Sequence, residues 1–213
     1  TSDSLEPVEV SQIKKGLVIG AGYGHACSDT QPTITRQEQK VKCWGRNKSG
    51  QLGNGGITDF TSPEEVRDFV NFKDLKANAV TALTAGKDHT CAILLDGSIN
   101  CWGGSEFGQL GNGIIGSRLK SNIPVRISLN TKAISISSGE SHTCAVTFDS
   151  KVHCWGRNHA GQLGTGTLTD AGVPLTINGF TARVVASGEN HTCAIVVDGG
   201  VKCWGFNGFG QLG

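Results

Sequence analysis

Histidine and cysteine recur at fixed spacing along this chain, and both residue types can bind metals or carry out acid, base and nucleophilic chemistry. Four segments carry Gly-x-x-His-x-Cys, and a second Cys in each segment directly precedes a Trp-Gly pair. One His and two Cys per segment could form a zinc site. Structural zinc usually has four ligands, and its familiar spacings place cysteines two to four residues apart. The pattern therefore disfavours zinc, and we expect no metal site and no cofactor. The repeated histidines are His25, His89, His142 and His191.

The cysteines form four repeat-locked pairs. In three pairs the two residues are ten positions apart and flank a short turn, such as Leu95-Asp96-Gly97. A three-residue hairpin loop with a left-handed third residue places Cys91 directly opposite Cys101. Facing Cα atoms lie about 4.5 to 5.5 Å apart, which a disulfide can bridge. Disulfides are favoured over free buried thiols, and they predict an extracellular, cell-surface or periplasmic location. The predicted disulfides are Cys27–Cys43, across a longer polar loop, Cys91–Cys101, Cys144–Cys154 and Cys193–Cys203.

A catalytic set cannot be named from these residues. Asp96, Asp149 and Asp198 occupy the same hairpin-turn position in three segments, which is typical of turn-forming residues rather than of catalytic acids. The histidines follow a glycine at the start of a strand, where we expect the imidazole to bind the backbone of the next repeat. We therefore predict that the chain is not an enzyme.

The elements that must position these residues are sequence repeats. The four Trp-Gly pairs begin at Trp44, Trp102, Trp155 and Trp204, so the period is 58, 53 and 49 residues. Periods in this range indicate propellers or solenoids. A Gly-Gln-Leu-Gly sequence closes each repeat, and a weaker Pro-x-x-aliphatic signal precedes each one. We expect one domain, complete or partial, over residues 1–213, with repeat units at about 7–53, 63–111, 124–164 and 174–213.

Composition indicates an all-β protein. The chain has 31 Gly and no Met, and its apolar runs are short and alternating. About four strands per repeat predict four-stranded antiparallel blades of a β-propeller. The segment from Thr61 to Ala77 is the most irregular and is where a short helical turn could form. The predicted strands are 79–85, 89–95, 98–102, 133–138, 142–148, 184–187 and 191–197.

Charge and hydropathy restrict the partners. The chain has 19 basic and 18 acidic residues and no basic run, so we do not expect nucleic acid as a partner. No apolar stretch approaches the roughly 18 residues of a membrane span. The first residue is Thr1 rather than Met, and no signal peptide is evident, so we expect a processed or trimmed product.

The complete pattern resembles the repeats of the regulator of chromosome condensation family. It consists of Gly-x-x-His-x-Cys, the Asp-Gly turn, Cys-Trp-Gly and Gly-Gln-Leu-Gly, in the Cys-paired form familiar from extracellular bacterial proteins. The resemblance implies a propeller that usually closes with seven blades, whereas only four units are present. The chain could be part of a longer ring, could pair with a second copy, or could close alone. Of these three, we expect the chain to be part of a seven-bladed ring.

Positions that vary between repeats at a constant place are free to contact a partner. The first such place is the pair between the repeat Gly and His, which the resemblance places on a propeller face often used for binding. The second lies between Trp-Gly and Gly-Gln-Leu-Gly, where aromatic residues could be interface anchors or could fold back over blade cores. The first place supplies Tyr23, Lys87, Asp88, Glu140, Ser141, Glu189 and Asn190, and the second supplies Phe107, Phe206 and Phe209.

These observations favour a secreted or cell-surface propeller that serves as a protein-binding or structural module. Its expected partner is a protein or a second copy of the chain. Three alternatives stay open. The chain could resemble propeller inhibitors of β-lactamases, could exchange guanine nucleotides on a small GTPase, or could be a carbohydrate lyase or hydrolase. The last would need an acidic cluster on one face, and the sequence places none.

Overall fold

The secondary structure consists entirely of strands in the part of the chain that is described. The computed structural model describes residues 3–30, 40–67 and 79–213. Within these ranges no helix is long and apolar enough to cross a membrane. The strands are β1 (Ile19–Ala21), β2 (His25–Thr30), β3 (Lys40–Gly45), β4 (Phe60–Glu65), β5 (Val80–Ala85), β6 (His89–Leu94), β7 (Ile99–Gly104), β8 (Lys120–Ile127), β9 (Ala133–Ser138), β10 (His142–Thr147), β11 (Val152–Gly156), β12 (Ala171–Ile177), β13 (Ala182–Ser187), β14 (His191–Val196) and β15 (Val201–Gly205).

The strands form four antiparallel sheets. The first three are β1–β4, β5–β8 and β9–β12, each paired in sequence order, and the fourth contains β13–β15. The innermost strands of successive sheets, β1, β5, β9 and β13, lie next to one another. This arrangement is that of successive propeller blades. The all-β propeller prediction is therefore confirmed, while the total of seven blades stays a prediction.

The predicted hairpins form with the expected register. In the second blade the Leu94 amide donates to the carbonyl of Ser98 at 2.9 Å, and Gly97 adopts a φ of 81°. This pairing places Cys91 directly opposite Cys101. The predicted strands that reach Leu95, Phe148 and Val197 end one residue earlier, because those residues already belong to the turns.

The sheets are offset from the sequence repeats by one strand. The segments that contain Pro63, Pro124 and Pro174 form the outer strands β4, β8 and β12, and each belongs to the preceding sheet. An outer strand tolerates proline because one side of it donates no ladder hydrogen bond. The expectation of an irregular segment from Thr61 to Ala77 is thus wrong for 61–65, which are strand; residues 68–77 lie outside the described residues.

The apolar core lies between adjacent blades. Leu52 and Val66 of the first blade pack with Leu83, Leu94 and Trp102 of the second, and all five side chains are buried. Equivalent clusters join the second blade to the third and the third to the fourth. Because each blade buries its face on the next, the loops at the blade ends have defined positions relative to one another.

Candidate functional site

The loops between each repeat Gly and His form a continuous rim at the inner ends of the blades. The Tyr23 amide donates to the carbonyl of Gly86 at 3.2 Å, and the Lys87 amide donates to that of Glu140 at 3.0 Å. The Glu140 amide continues the series by donating to the carbonyl of Glu189 at 3.0 Å. The variable side chains of four blades therefore stand side by side. They border an open groove of about 560 Å³, which is lined by residues 21–23, 85–87, 138–140 and 187–189.

Glycine is required where these loops cross. A Cβ atom on Gly86 would collide with the carbonyl oxygen of Gly139 in the next blade and with the ring of His89. Gly139 is confined in the same way by Gly188 and His142. The repeat glycines thus permit the close approach that forms the rim.

Behind the rim, buried hydrogen bonds fasten each blade to the next. Nε2 of His89 lies 2.9 Å from Oγ1 of Thr143 in the third blade. Thr143 donates its hydroxyl proton to the main-chain carbonyl of Gln109 at 3.2 Å, so the imidazole must be the donor in the first bond. The same carbonyl accepts the Nε1–H of Trp155 at 3.0 Å. The other two junctions contain the sets His25, Thr90, Gln51 and Trp102, and His142, Thr192, Gln162 and Trp204.

The expectation that the histidines bind the next blade's backbone is wrong in its partner for His25, His89 and His142. The imidazole binds a threonine hydroxyl, and the threonine in turn reaches a main-chain carbonyl of the histidine's own blade. Burial lowers the pKa of His89 and of His142 to about 3 and that of His25 to about 4. These side chains are therefore neutral at physiological pH and act as fixed donors rather than as acids or bases.

The cysteines are all disulfide-bonded in the predicted pairs. Each pair has a Cα–Cα distance of 4.1 Å. A disulfide sulfur does not offer the thiolate that zinc needs. Among the described residues, no group of three or more His, Cys, Asp or Glu side chains is placed to hold a metal ion. The turn role of the aspartates is also visible, because Asp96 Oδ1 accepts the Ser98 amide at 2.8 Å.

A second set of variable side chains meets the rim between the second and third blades. Nζ of Lys87 lies 2.6 Å from Oε1 of Glu140, and this hydrogen bond raises the pKa of Lys87. The other carboxylate oxygen of Glu140 lies 4.0 Å from Nη1 of Arg157. The Arg157 guanidinium in turn lies 4.6 Å from the centre of the Phe107 ring. Both variable places found in the sequence therefore converge on one surface.

The structure brings together some of the predicted residues and separates others. Lys87, Asp88, Phe107, Glu140 and Ser141 all line one open groove of about 540 Å³, which we call the junction groove. Tyr23 and Glu189 lie on the adjoining rim. On the fourth blade, Asn190 accepts a hydrogen bond from Gln162 Nε2 at 3.3 Å, and Phe206 meets Phe209 edge to face with a centroid distance of 6.0 Å.

The aromatic residues differ in exposure. Phe107 is half-buried beneath Arg157, whereas Phe209 is 91% exposed. Phe209 therefore does not cover a blade core, and Phe107 is held as part of the charged cluster. Arg157 is a member of this cluster that sequence reasoning did not select. Arg157 lies between Trp-Gly and Gly-Gln-Leu-Gly, the second variable place, so a comparison of the four repeats could have identified it.

A repeated asparagine was also missed. Asn47 accepts the Leu52 amide at 2.9 Å, and Asn158 accepts that of Leu163 at 3.0 Å. Each asparagine stands two residues after Trp-Gly, as does Asn207, whereas Ser105 takes this place in the second blade. Aligning the four repeats on Trp-Gly would have revealed both the column and its exception. The exception lies in the second blade, which contributes most of the residues that line the junction groove.

Comparison with known proteins gives a consistent family. Two models of the regulator of chromosome condensation (RCC1) repeat match the chain three times each. One covers residues 40–93, 96–146 and 149–195, and the other covers residues 80–109, 133–162 and 183–211.

Individual proteins resemble parts of the chain. The ultraviolet-B receptor UVR8 of Arabidopsis thaliana is 32% identical over 151 residues, which are 70% of this chain and 32% of the receptor. The crystal structure of human WBSCR16 superposes with a TM-score of 0.81 at 20% identity, over 94% of this chain and 51% of that one. Prp20p from Saccharomyces cerevisiae gives a TM-score of 0.77 at 22% identity, over 94% and 48%. The chain thus spans about half or less of each of these proteins.

Proposed function

Because the chain belongs to the regulator of chromosome condensation repeat family, we propose that it is a protein-binding propeller module of an exported protein, without catalysis of its own. The observation that carries this proposal is the convergence of variable side chains on one surface. Lys87 and Phe107 of the second repeat meet Glu140 and Arg157 of the third repeat there. Behind this surface lie the buried His–Thr hydrogen bonds that recur at three blade junctions.

The surface has the composition of a recognition face. It combines an exposed aromatic ring, Tyr23, which is 79% exposed, with charged side chains held in place by Glu140. Aromatic and arginine side chains are enriched among residues that dominate binding energy. The yeast protein Prp20p, which shares the fold, binds Gsp1p and histones. Protein binding by a propeller of this shape supports the same general role here, with a partner of its own.

Export is supported by the four disulfides. The family relatives do not determine the compartment, but stable disulfides form in oxidising compartments and are rare in the cytosol. The protein isolated from its source can be unfolded in denaturant, alkylated without reduction and analysed by mass spectrometry. We expect no alkylated cysteine; eight alkylated cysteines in the unfolded, unreduced protein would overturn the proposed location.

Photo-crosslinking tests the proposed face directly. A photoreactive phenylalanine analogue replaces Tyr23 in one variant and Phe148 in another; Phe148 is 77% exposed at a hairpin turn, at the other end of its blade. The variants are incubated with extracellular proteins of the source organism and irradiated. We expect a discrete product from position 23 and none from position 148. Equal products from both positions, or none from position 23, would contradict the proposal.

A further inference from the structure

The second blade departs from its neighbours in the loop that follows Gly-Gln-Leu-Gly. Seven positions separate Gly53 from Phe60 in the first blade and Gly164 from Ala171 in the third, where Phe60 and Ala171 pair with the Trp-Gly glycines. In the second blade ten positions separate Gly111 from the equivalent residue, Ser121. The second blade therefore carries three extra residues in this loop, which we call the insertion loop, residues 112–120.

The insertion loop also removes a negative charge. In the first blade the Asn47 amide donates to the carboxylate of Asp59 at 2.8 Å, and the third blade has the same bond to Asp170 at 2.7 Å. In the second blade the amide of Ser105 donates instead to the main-chain carbonyl of Leu119 at 2.8 Å. A carboxylate is thus replaced by a neutral carbonyl. The residues on either side of that carbonyl are Arg118 and Lys120.

Hydrogen bonds hold the insertion loop in one conformation. Ser105 is buried, and its Oγ donates to the carbonyl of Ile114 at 2.9 Å. The Gly113 amide reaches across to the third blade and donates to Gly172 at 2.8 Å. Arg118 adopts a φ of 70°, a region that non-glycine residues enter only when the surrounding structure imposes it. The fixed loop therefore presents Arg118 with little remaining backbone freedom.

The junction groove beside this loop has a positive balance of charge. Glu140 is shared between Lys87 and Arg157, so its charge is already compensated. Arg118 and Lys120 take part in no ion pair with any residue that the structure describes. The charged residues that line the groove are Lys48, Lys87, Arg118, Lys120 and Arg157, against Asp88, Glu106 and Glu140.

We propose that the junction groove binds an acidic peptide segment of the partner protein; this inference rests on the proposed function and specifies its partner. Carboxylates complement the unpaired guanidinium of Arg118, which can bind them through two parallel hydrogen bonds. Lys120 supplies a second charge two residues away, and Leu119 between them is 43% exposed and offers apolar contact. The fixed loop lowers the entropic cost of binding.

Nucleic acid fits the junction groove less well. A regularly charged phosphate backbone would meet the carboxylates of Asp88 and Glu106 among the lining cations. The face of the Phe107 ring is covered by Arg157, so it does not offer the free aromatic platform on which bases stack. A peptide can place its carboxylates where the cations are and leave neutral residues opposite the acids.

Fluorescence anisotropy with the 213-residue chain tests the proposal. The probe is a labelled peptide of alternating Glu and Gly, and its Gln and Gly analogue is the neutral control. We expect saturable binding of the Glu peptide that weakens as salt is raised, and no binding of the Gln peptide. The double variant R118A/K120A should bind the Glu peptide about tenfold more weakly, which is the effect of losing about 1.4 kcal/mol.

The matched control variant is K151A/R183A, which changes the net charge by the same amount. Lys151 follows the turn at Ser150, and Arg183 lies beside the turn residue Gly199, away from the junction groove. This variant should keep wild-type affinity. Near-ultraviolet circular dichroism and disulfide mapping establish that both double variants are folded.

The proposal is overturned if the Glu peptide does not bind, if both double variants bind it with equal affinity, or if a labelled thymidine oligonucleotide binds more tightly than the Glu peptide. Crosslinking from position 23 separates this failure from failure of the proposed function. If R118A/K120A still yields the crosslinked partner in full, protein binding stands and the acidic-peptide site falls. If the peptide binds as expected while no partner is crosslinked, the proposed function falls alone.

Discussion

The imidazole of His89 in the second blade donates a hydrogen bond to the hydroxyl of Thr143 in the third, with 2.9 Å between Nε2 and Oγ1. Both side chains are completely buried. The hydroxyl in turn donates a hydrogen bond to the carbonyl of Gln109, so the hydrogen bonds run from the second blade to the third and back again. Blade docking therefore depends on polar contacts as well as on the apolar core, and burial of the imidazole keeps it neutral by lowering its pKa.

Replacing Thr143 with Val keeps the shape of the side chain and removes its hydroxyl. The His89 Nε2–H is then buried without its acceptor, which we expect to lower the free energy of unfolding by about 1–3 kcal/mol. Urea denaturation followed by tryptophan fluorescence measures the change. Thr143→Ser, which keeps the hydroxyl, should lose less; equal stability of the Val variant and the wild type would show that the hydrogen bond contributes nothing.

Acidification should destabilise the protein through its buried histidines. In the unfolded chain their pKa is about 6.5, whereas burial holds the pKa of His89 and His142 near 3 and that of His25 near 4. Between these values the unfolded state binds more protons than the folded state. The free energy of unfolding therefore falls as the pH drops below about 6.5, by up to about 1.4 kcal/mol per pH unit for each histidine. The loss ends near pH 3 to 4.

Urea denaturation at pH 7 and pH 5 measures this dependence. His142→Gln keeps a hydrogen-bond donor and cannot be protonated, so its stability should change less between the two pH values than that of the wild type. The same pH dependence in both proteins would assign the effect to other groups.

Ser150 should be replaceable by glycine with a gain in stability. Its φ is 62°, and it occupies the hairpin position that Gly97 and Gly199 fill in other blades. Relief of the left-handed conformation should raise the free energy of unfolding of Ser150→Gly by about 1 kcal/mol. Thermal unfolding measures it, and an unchanged or lower Tm would contradict the expectation.

The reverse changes should differ from each other. A Cβ on Gly199 would meet only the end of the Arg183 side chain, at 3.9 Å, whereas a Cβ on Gly97 would collide with Lys132. Gly199→Ser should therefore lose about 1 kcal/mol, and Gly97→Ser should lose more. Equal losses would mean that the contact with Lys132 is relieved without effect.

Reduction of the disulfides in the 213-residue chain should begin at Cys193–Cys203. The six cysteines of the first three blades are completely buried, whereas Cys193 and Cys203 are half-buried. Partial reduction, alkylation and mass spectrometry should find this pair modified first, because thiol exchange requires access to the sulfur. In strong denaturant the preference should disappear; a preference that survives denaturation would assign it to the local sequence instead of burial.

The elements that local sequence determines were predictable. A three-residue hairpin loop sets the register of its own two strands, so Cys91 and Cys101 were paired correctly from their spacing alone. The sequence analysis assigned Pro63 to the second repeat unit, whereas the structure places it in β4 of the first sheet. Which sheet Pro63 joins depends on hydrogen bonds between β4 and β3, and the residues next to Pro63 in the sequence do not determine this pairing.

The candidate face shows the same division. The sequence alone showed which positions repeat and which vary. It also determined the hairpins, because backbone sterics and turn geometry act between residues close along the chain. Only the tertiary structure decided that Arg157 lies over Phe107, that Glu140 joins Lys87 to Arg157, and that His89 reaches a threonine rather than the backbone. Most of these contacts join residues about 50 positions apart on different blades, so they depend on how buried blade faces pack against each other.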